Sequence, residues 1–150
     1  MILSDDINNY IERSVLCWLA TGSADNVPNV SPKEIFATYG SDSVIIANIA
    51  SPQSLKNIKS NHRVCLSFID VLIQKGYQLK GTAVIIDASN PEYEAMKEIL
   101  DKMTEGKFPY NSIFKLSIGS SKAIIAPRYI LYPQTTEEEQ IESARKMYNL

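Results

Sequence analysis

The spacing of apolar residues changes several times along the chain, and each change marks an element. Ile7, Tyr10 and Ile11 stand at i, i+3, i+4 behind Ser4, so the first segment reads as a short helix capped by Ser4. Residues 15–21 are apolar and rich in strand formers, and the polar stretch 22–26 reads as a turn. Residues 27–39 resume in extended fashion, but Pro28 and Pro32 cannot donate to a ladder, which predicts an open edge or a bulge. After a turn at 40–43, residues 44–50 are apolar on both faces, the pattern of a strand lying deep in a sheet. Ser51 and Pro52 then fit the N-cap and first position of a helix whose apolar face is Leu55 and Ile58. Residues 63–70 and 77–87 read as the fourth and fifth strands. Asn90 and Pro91 repeat the cap-and-proline signal, before a helix with Ala95, Met96, Ile99, Leu100 and Met103 on one side. A loop is expected at 106–111. Residues 113–126 make one long strand or two short ones broken near Gly119, and 129–132 a last extended piece. Residues 136–148 form an acidic then basic helix, with Glu137, Glu138 and Glu139 as a solvated start that suits the helix dipole.

Six or seven short strands, most adjacent without a helix between them, predict a mainly β fold with peripheral helices. Antiparallel pairing follows, and closure into a barrel would remove exposed edges. The 150 residues suit a single domain, and 45% apolar residues are enough to fill its core. A net charge of −2 argues against a nucleic-acid binder. No apolar run approaches the roughly 20 residues that span a bilayer. The first residues, Met1 to Asp6, are acidic where a signal peptide is basic, so the cytoplasm is the expected location. Cys17 and Cys65 each sit in an apolar run and read as buried reduced thiols, and Trp18 reads as core. His62 is the one histidine and lies in a polar stretch, so no metal-ligand cluster is visible.

The most informative stretch is 47–56, where a buried strand ends and a helix begins. The first N–H groups of a helix have no internal partner and point along the positive end of its dipole, which makes a candidate anion site. Ser51, Gln53 and Ser54 can add side-chain donors and Lys56 a charge, a set that fits a phosphate. Any capped helix start shows the same features, so from these residues alone a plain cap at Ser51 and a solvated Lys56 are the more common reading.

A longer pattern adds to this. The run Leu19-Ala20-Thr21, a turn, then Pro28-Asn29-Val30-Ser31-Pro32, then the strand at 44–50, then Asn57-Ile58 and the strand through Phe68 resembles the pyridoxamine 5′-phosphate oxidase-like family. Leu79-Lys80-Gly81-Thr82-Ala83-Val84 resembles its following strand with a Gly-x-Ala element. The chain is most similar to the small general-stress-protein and flavoprotein branch. The resemblance implies the FMN-binding split-barrel fold, a six- or seven-stranded antiparallel split barrel. It also implies a homodimer that holds FMN at its two-fold interface and exchanges electrons with a small molecule. By position, Val30, Ser31, Pro32 and Lys33 would line the flavin from the second strand. Asn48, Ile49, Ala50 and Ser51 would run beside its ring and ribityl chain. Gln53 and Ser54 would take the phosphate positions, and Tyr110 would bring an aromatic to the ring from the partner chain.

Two departures shape the expected function. True pyridoxamine phosphate oxidases place arginine and lysine at the phosphate positions, where this chain has Gln53 and Ser54. Lys56 or Lys33 is left to supply charge, and a deazaflavin is the alternative cofactor. The C-terminal substrate motif of those oxidases has no match after Ala126, so their reaction is not expected. The resemblance therefore implies a flavin-dependent oxidoreductase, or a non-catalytic flavin-binding electron carrier or sensor, with no catalytic residue identified.

Overall fold

In the computed structural model, which describes residues 3–150, helix α1 (Asp5–Arg13) leads into β1 (Cys17–Gly22), β2 (Pro28–Lys33), β3 (Phe36–Tyr39) and β4 (Ser43–Ala47). Helix α2 (Pro52–Ser60), strands β5 (Arg63–Asp70) and β6 (Lys75–Asp87), helix α3 (Tyr93–Thr104) and strand β7 (Ser112–Ile125) follow. Two helices end the chain, α4 (Pro127–Leu131) and α5 (Glu137–Tyr148). The strands form one seven-stranded sheet in the order β2-β1-β5-β6-β7-β4-β3, with every pairing antiparallel. Its two outermost strands, β2 and β3, are consecutive and separated only by Glu34 and Ile35. The sheet must therefore curl until its ends meet, yet those ends do not pair. This is a split barrel: the wall closes through two residues of chain and not through a ladder. The Pro-containing β2 lies at the edge, where a missing donor costs nothing.

Alternation sorts the apolar residues into two cores. Leu19, Leu66, Phe68, Leu79, Phe114, Leu116, Val44 and Ile46 fill the barrel, and Ile7, Tyr10 and Ile11 of α1 join them. Ile45, Ala47, Ile86 and Ile113 face outward and are covered by Tyr93, Met96 and Leu100 of α3, with Tyr110. Strand β4 thus contributes to both cores, which is why it is apolar on both faces and buried at every position. Helix α4 is tied to the β5–β6 turn, where Ala126 N–H donates to Gln74 O at 3.0 Å and the Tyr129 hydroxyl to Ile73 O at 2.8 Å, and α5 meets the start of β6 through the Lys75–Glu137 ion pair at 3.1 Å. Thr136 and Glu139 form a reciprocal capping box at the start of α5.

Several expectations are corrected. Trp18 is not core but 46% exposed, because Cys17, Leu19 and Thr21 hold the inner face of β1 and a neighbour one position away must point out. Cys65 lies on the same outer side, opposite Ala20, and is only half-buried, while Cys17 is fully buried. Residues 129–132 are not extended: Pro127 starts α4, which runs to Leu131. The third helix begins at Tyr93, not after Asn90, whose side chain instead accepts from the Glu92 N–H in a local turn. Tyr93 and Thr104 are buried there, and Ala95 and Met103 are exposed. Residues 112–125 are one continuous strand, with the irregularity near Gly119 present as a register shift opposite Lys80 and Gly81.

That shift is tight around Gly81. A Cβ built there would lie 1.9 Å from the Ser117 carbonyl oxygen, a backbone atom held in the ladder. At Gly119 the nearest atom would be 3.7 Å away, an ordinary contact. Gly81→Ala is expected to lower unfolding free energy by ~3 kcal/mol in urea titration, and Gly119→Ala to leave it unchanged or slightly raised. Equal effects would show that close approach is not the reason for Gly81.

Candidate functional site

Strand β2 presents Ser31 and Lys33 on its inner side and Val30 and Pro32 on its outer side. Helix α2 begins directly against that inner side, and two contacts join them. Ser31 Oγ and Ser54 Oγ lie 3.2 Å apart, and Lys33 Nζ donates to Ser51 Oγ at 2.5 Å. Ser51 in turn donates to Ile49 O at 3.0 Å. Its hydroxyl is thus occupied by lysine and turn, and it makes no side-chain cap. The expected cap is corrected: Ser51 stands at the N-cap position but works sideways. Pro52 has no N–H, and among the described residues the N–H groups of Gln53 and Ser54 find no acceptor. Just before them, Ala50 adopts a left-handed backbone with φ 48°, which turns the chain sharply from β4 into α2.

Lys33 is only 7% exposed, and among the described residues it makes no ion pair. Its neighbour across the β1–β2 ladder, Cys17, supplies no counter-charge, because burial pushes that thiol far up and keeps it protonated. Burial likewise holds the Lys33 ammonium below its ordinary value. A desolvated cation next to the positive end of a nine-residue helix is electrostatically unfavourable alone, since both favour negative charge. An anion placed there would offset both.

Beside this polar corner opens a cleft of about 210 Å³, lined by Pro32, Lys33, Glu34, Ile35, Ala47, Ile49 and Phe108. One wall is charged and the other apolar. Phe108 is 53% exposed at its mouth, on a loop pinned at both ends. At one end Gly106 N–H and Lys107 N–H donate to Thr104, and at the other Tyr110 is buried with its hydroxyl on Asp101 at 2.7 Å. Burial and that bond to Asp101 push the Tyr110 phenol up.

The structure therefore brings together Ser31, Pro32, Lys33, Ile49, Ser51 and Ser54. Ala50 is exposed beside them, and Asn48 is tied to the start of β7 by its amide, which donates to Ser112 Oγ at 2.9 Å. Gln53 is exposed on the first turn but donates its amide to Asn57 Oδ1 at 2.8 Å. Three expected residues are elsewhere. Val30 faces the opposite side of the sheet, Lys56 is exposed on the second turn of α2, and Tyr110 packs inside its own chain under α3. The loop's aromatic at the cleft is Phe108, two residues earlier, and the loop position of Gly106-Lys107-Phe108-Pro109 was its one sequence signal. Ile35, Ala47 and Glu34 were also missed. Lys115 has a carboxylate of its own, Glu92 at 3.0 Å. Among the described residues no cluster of three or more His, Cys, Asp or Glu could hold a metal, and no helix is long and apolar enough to cross a membrane.

The family model described as pyridoxamine 5′-phosphate oxidase matches residues 3–125. No curated protein matches the chain. Among solved structures, the chain is similar to HupZ of Group A Streptococcus, with a TM-score of 0.72 at 22% identity over 83% of this chain and 96% of that one. It is similar to an FMN-binding protein of Syntrophomonas wolfei, with a TM-score of 0.64 at 17% identity over 81% and 85%. HutZ, the heme storage protein of Vibrio cholerae, gives a TM-score of 0.62 at 17% identity over 83% and 95%. At these identities the likeness is one of fold.

The electrostatics of Lys33 yield a test of sign. Its folded value lies below its unfolded one, so the unfolded chain holds more protons between the two, and stability rises with pH through that window toward 10.5. Lys33→Met is expected to melt about 3 °C above wild type near neutral pH, with the advantage shrinking as pH nears the lysine's ordinary value. A variant that melts lower in the absence of any anion would show that Lys33 is a stabilising strut.

Proposed function

The chain belongs to the pyridoxamine 5′-phosphate oxidase family, and from that premise we propose that it binds FMN as a homodimer and works as a flavin-dependent oxidoreductase. The observation that carries this reading is the buried Lys33 of β2, which makes no ion pair among the described residues and reaches the start of α2. In it, the FMN phosphate sits where Lys33, the free N–H groups of Gln53 and Ser54, and the Ser31–Ser54 hydroxyls converge. Neutral Gln53 and Ser54 at the family's phosphate positions are then compensated by a charge arriving from the strand. The apolar wall of Ile35, Ala47, Ile49 and Phe108 suits a flat ring and keeps water from it. Bound FMN would supply the redox chemistry, and the protein would supply orientation, charge and a dry environment.

The second copy enters through size. A cleft of about 210 Å³ is smaller than the roughly 300 Å³ at which ligand pockets usually begin. The half-exposed Phe108 leaves one side of it open, a side that a symmetry mate would close. Heme is a weaker reading. The one histidine, His62, is exposed just beyond the far end of α2 from Ser51 and does not line the cleft. A deazaflavin remains the alternative among flavins. Oxidation of pyridoxamine phosphate is not proposed, because the C-terminal substrate motif of those oxidases has no match after Ala126, where the chain forms α4 and α5. An electron carrier or sensor without turnover is the second reading, supported by Glu34 being the one acid among the cleft's lining residues.

Purified protein is expected to show flavin absorption, or to acquire it with added FMN, and to bind FMN more tightly than riboflavin, which lacks the phosphate. Lys33→Met should weaken FMN about tenfold or more while riboflavin changes little. A colourless protein that takes up neither flavin would refute the proposal. Steady-state oxidation of NADH or NADPH with an added acceptor separates enzyme from carrier, and its absence with common acceptors favours the carrier.

A further inference from the structure

Behind the proposed anion site lies a buried polar contact between α2 and β1. Asn57, in α2, is 1% exposed and Thr21, on the inner face of β1, is 4% exposed. Asn57 Nδ2 donates to Thr21 Oγ1 at 2.9 Å, and its Oδ1 accepts from Gln53 Nε2 at 2.8 Å. The two partners of the buried pair are 36 positions apart in the chain. Ser54, Asn57 and Ile58 stand at i, i+3, i+4 and form the buried face of α2. Ile58 and the partly buried Leu55 already give that helix apolar contacts with the barrel core. Apolar contact holds a helix against a sheet but tolerates rotation about its axis, whereas a hydrogen bond has direction. Buried amides that lose a partner are costly, so the pair discriminates strongly among helix rotations.

We propose that Asn57 is a positioning residue: through Thr21 it sets the rotation of α2, and through Gln53 the side chain on its first turn, so that Ser54 and the free N–H groups face the anion opposite Ser31 and Lys33. The proposal rests on the phosphate-binding reading above. Ser54 is one turn from Asn57 on the same face, so a small rotation at Asn57 carries directly to the Ser31–Ser54 contact of 3.2 Å. Gln53 is held by one amide hydrogen on Asn57, which leaves its second free for a ligand oxygen.

The test compares FMN and riboflavin dissociation constants, by flavin fluorescence titration, for the full chain and for Asn57→Leu, Thr21→Val, Thr21→Ser and the Thr21→Val/Asn57→Leu double variant. Asn57→Leu is expected to weaken FMN about tenfold and riboflavin less than twofold, and Thr21→Val to move FMN in the same direction. Thr21→Ser, which keeps the hydroxyl, should retain the wild-type preference. The double variant replaces both polar partners with apolar ones and should recover most of the melting temperature without recovering the FMN preference. If FMN and riboflavin weaken together, or if the double variant regains the preference along with its stability, Asn57 is a packing residue and the proposal fails. If Asn57→Leu does not fold, Thr21→Val and Thr21→Ser decide the matter by the same ratio. A wild type that binds FMN no better than riboflavin overturns the phosphate reading and this proposal together. A wild type with a clear preference that Asn57→Leu and Thr21→Val both keep overturns this proposal alone.

Discussion

Lys33 places a positive charge on the inner side of β2, 7% exposed at the wall of the cleft, at the point where the peptide dipoles of α2 also present their positive end. No carboxylate among the described residues offsets it, and the nearby Cys17 thiol stays protonated. The surrounding structure can be understood from this charge outward. Ser51 gives up capping to accept from Lys33, Ala50 takes a left-handed conformation to bring Ser51 round, and Ser31 and Ser54 draw strand and helix together one step further along. Each of these departs from what a helix start would do in isolation. Together they hold the ammonium and the unpartnered first-turn N–H groups at the same end of α2.

Such a concentration of like charge needs a rigid frame, and β4 supplies it. Its side chains are shared between the barrel interior and the α3 layer, so the strand that leads into the site cannot shift without disturbing both cores. The long β6 and β7 strands back it, with Ile45 opposite Lys115 and Ile46 opposite Phe114. By contrast the Phe108 side of the cleft is a loop, although Tyr110 and Thr104 pin its two ends. The cleft therefore has a fixed wall, where Lys33, Ile35 and Ala47 lie on or beside the sheet, and a loop wall at Phe108.

Much of the frame was legible in the order of residues. The doubly apolar strand over 44–47, the helix start at Ser51-Pro52 and the edge character forced by Pro28 and Pro32 each follow from local chemistry and are present, whereas 48–50, read as part of that strand, leave it and turn into α2. What was not legible depends on parity or distance. Trp18 was expected inside because its neighbours are apolar, but a strand assigns faces by single steps, and Cys17 and Leu19 had taken the inner one. Tyr110 and Phe108 are both loop aromatics, and only packing against α3 decides which is buried and which stands at the cleft. The diversion of Ser51 depends on a lysine 18 positions earlier, and the role of Asn57 on a threonine 36 positions earlier. Residues of that kind read as ordinary surface polarity until the sheet has closed around them.

The two residues that complete the barrel wall, Glu34 and Ile35, also line the cleft. Ile35 O accepts from Ala47 N–H at 3.0 Å, so this seam is anchored to β4 on one side and continues into Lys33 on the other. Every other connection between neighbouring strands in the sheet is made by a ladder, whose register resists insertion or deletion. Along the seam the Ile35–Ala47 bond continues the β3–β4 register, and Glu34 has no ladder partner. Changes in its length would alter the width of the cleft mouth while leaving the paired strands as they are, so descendants of one ancestral barrel could diverge in the size of molecule they admit without first relearning how to fold.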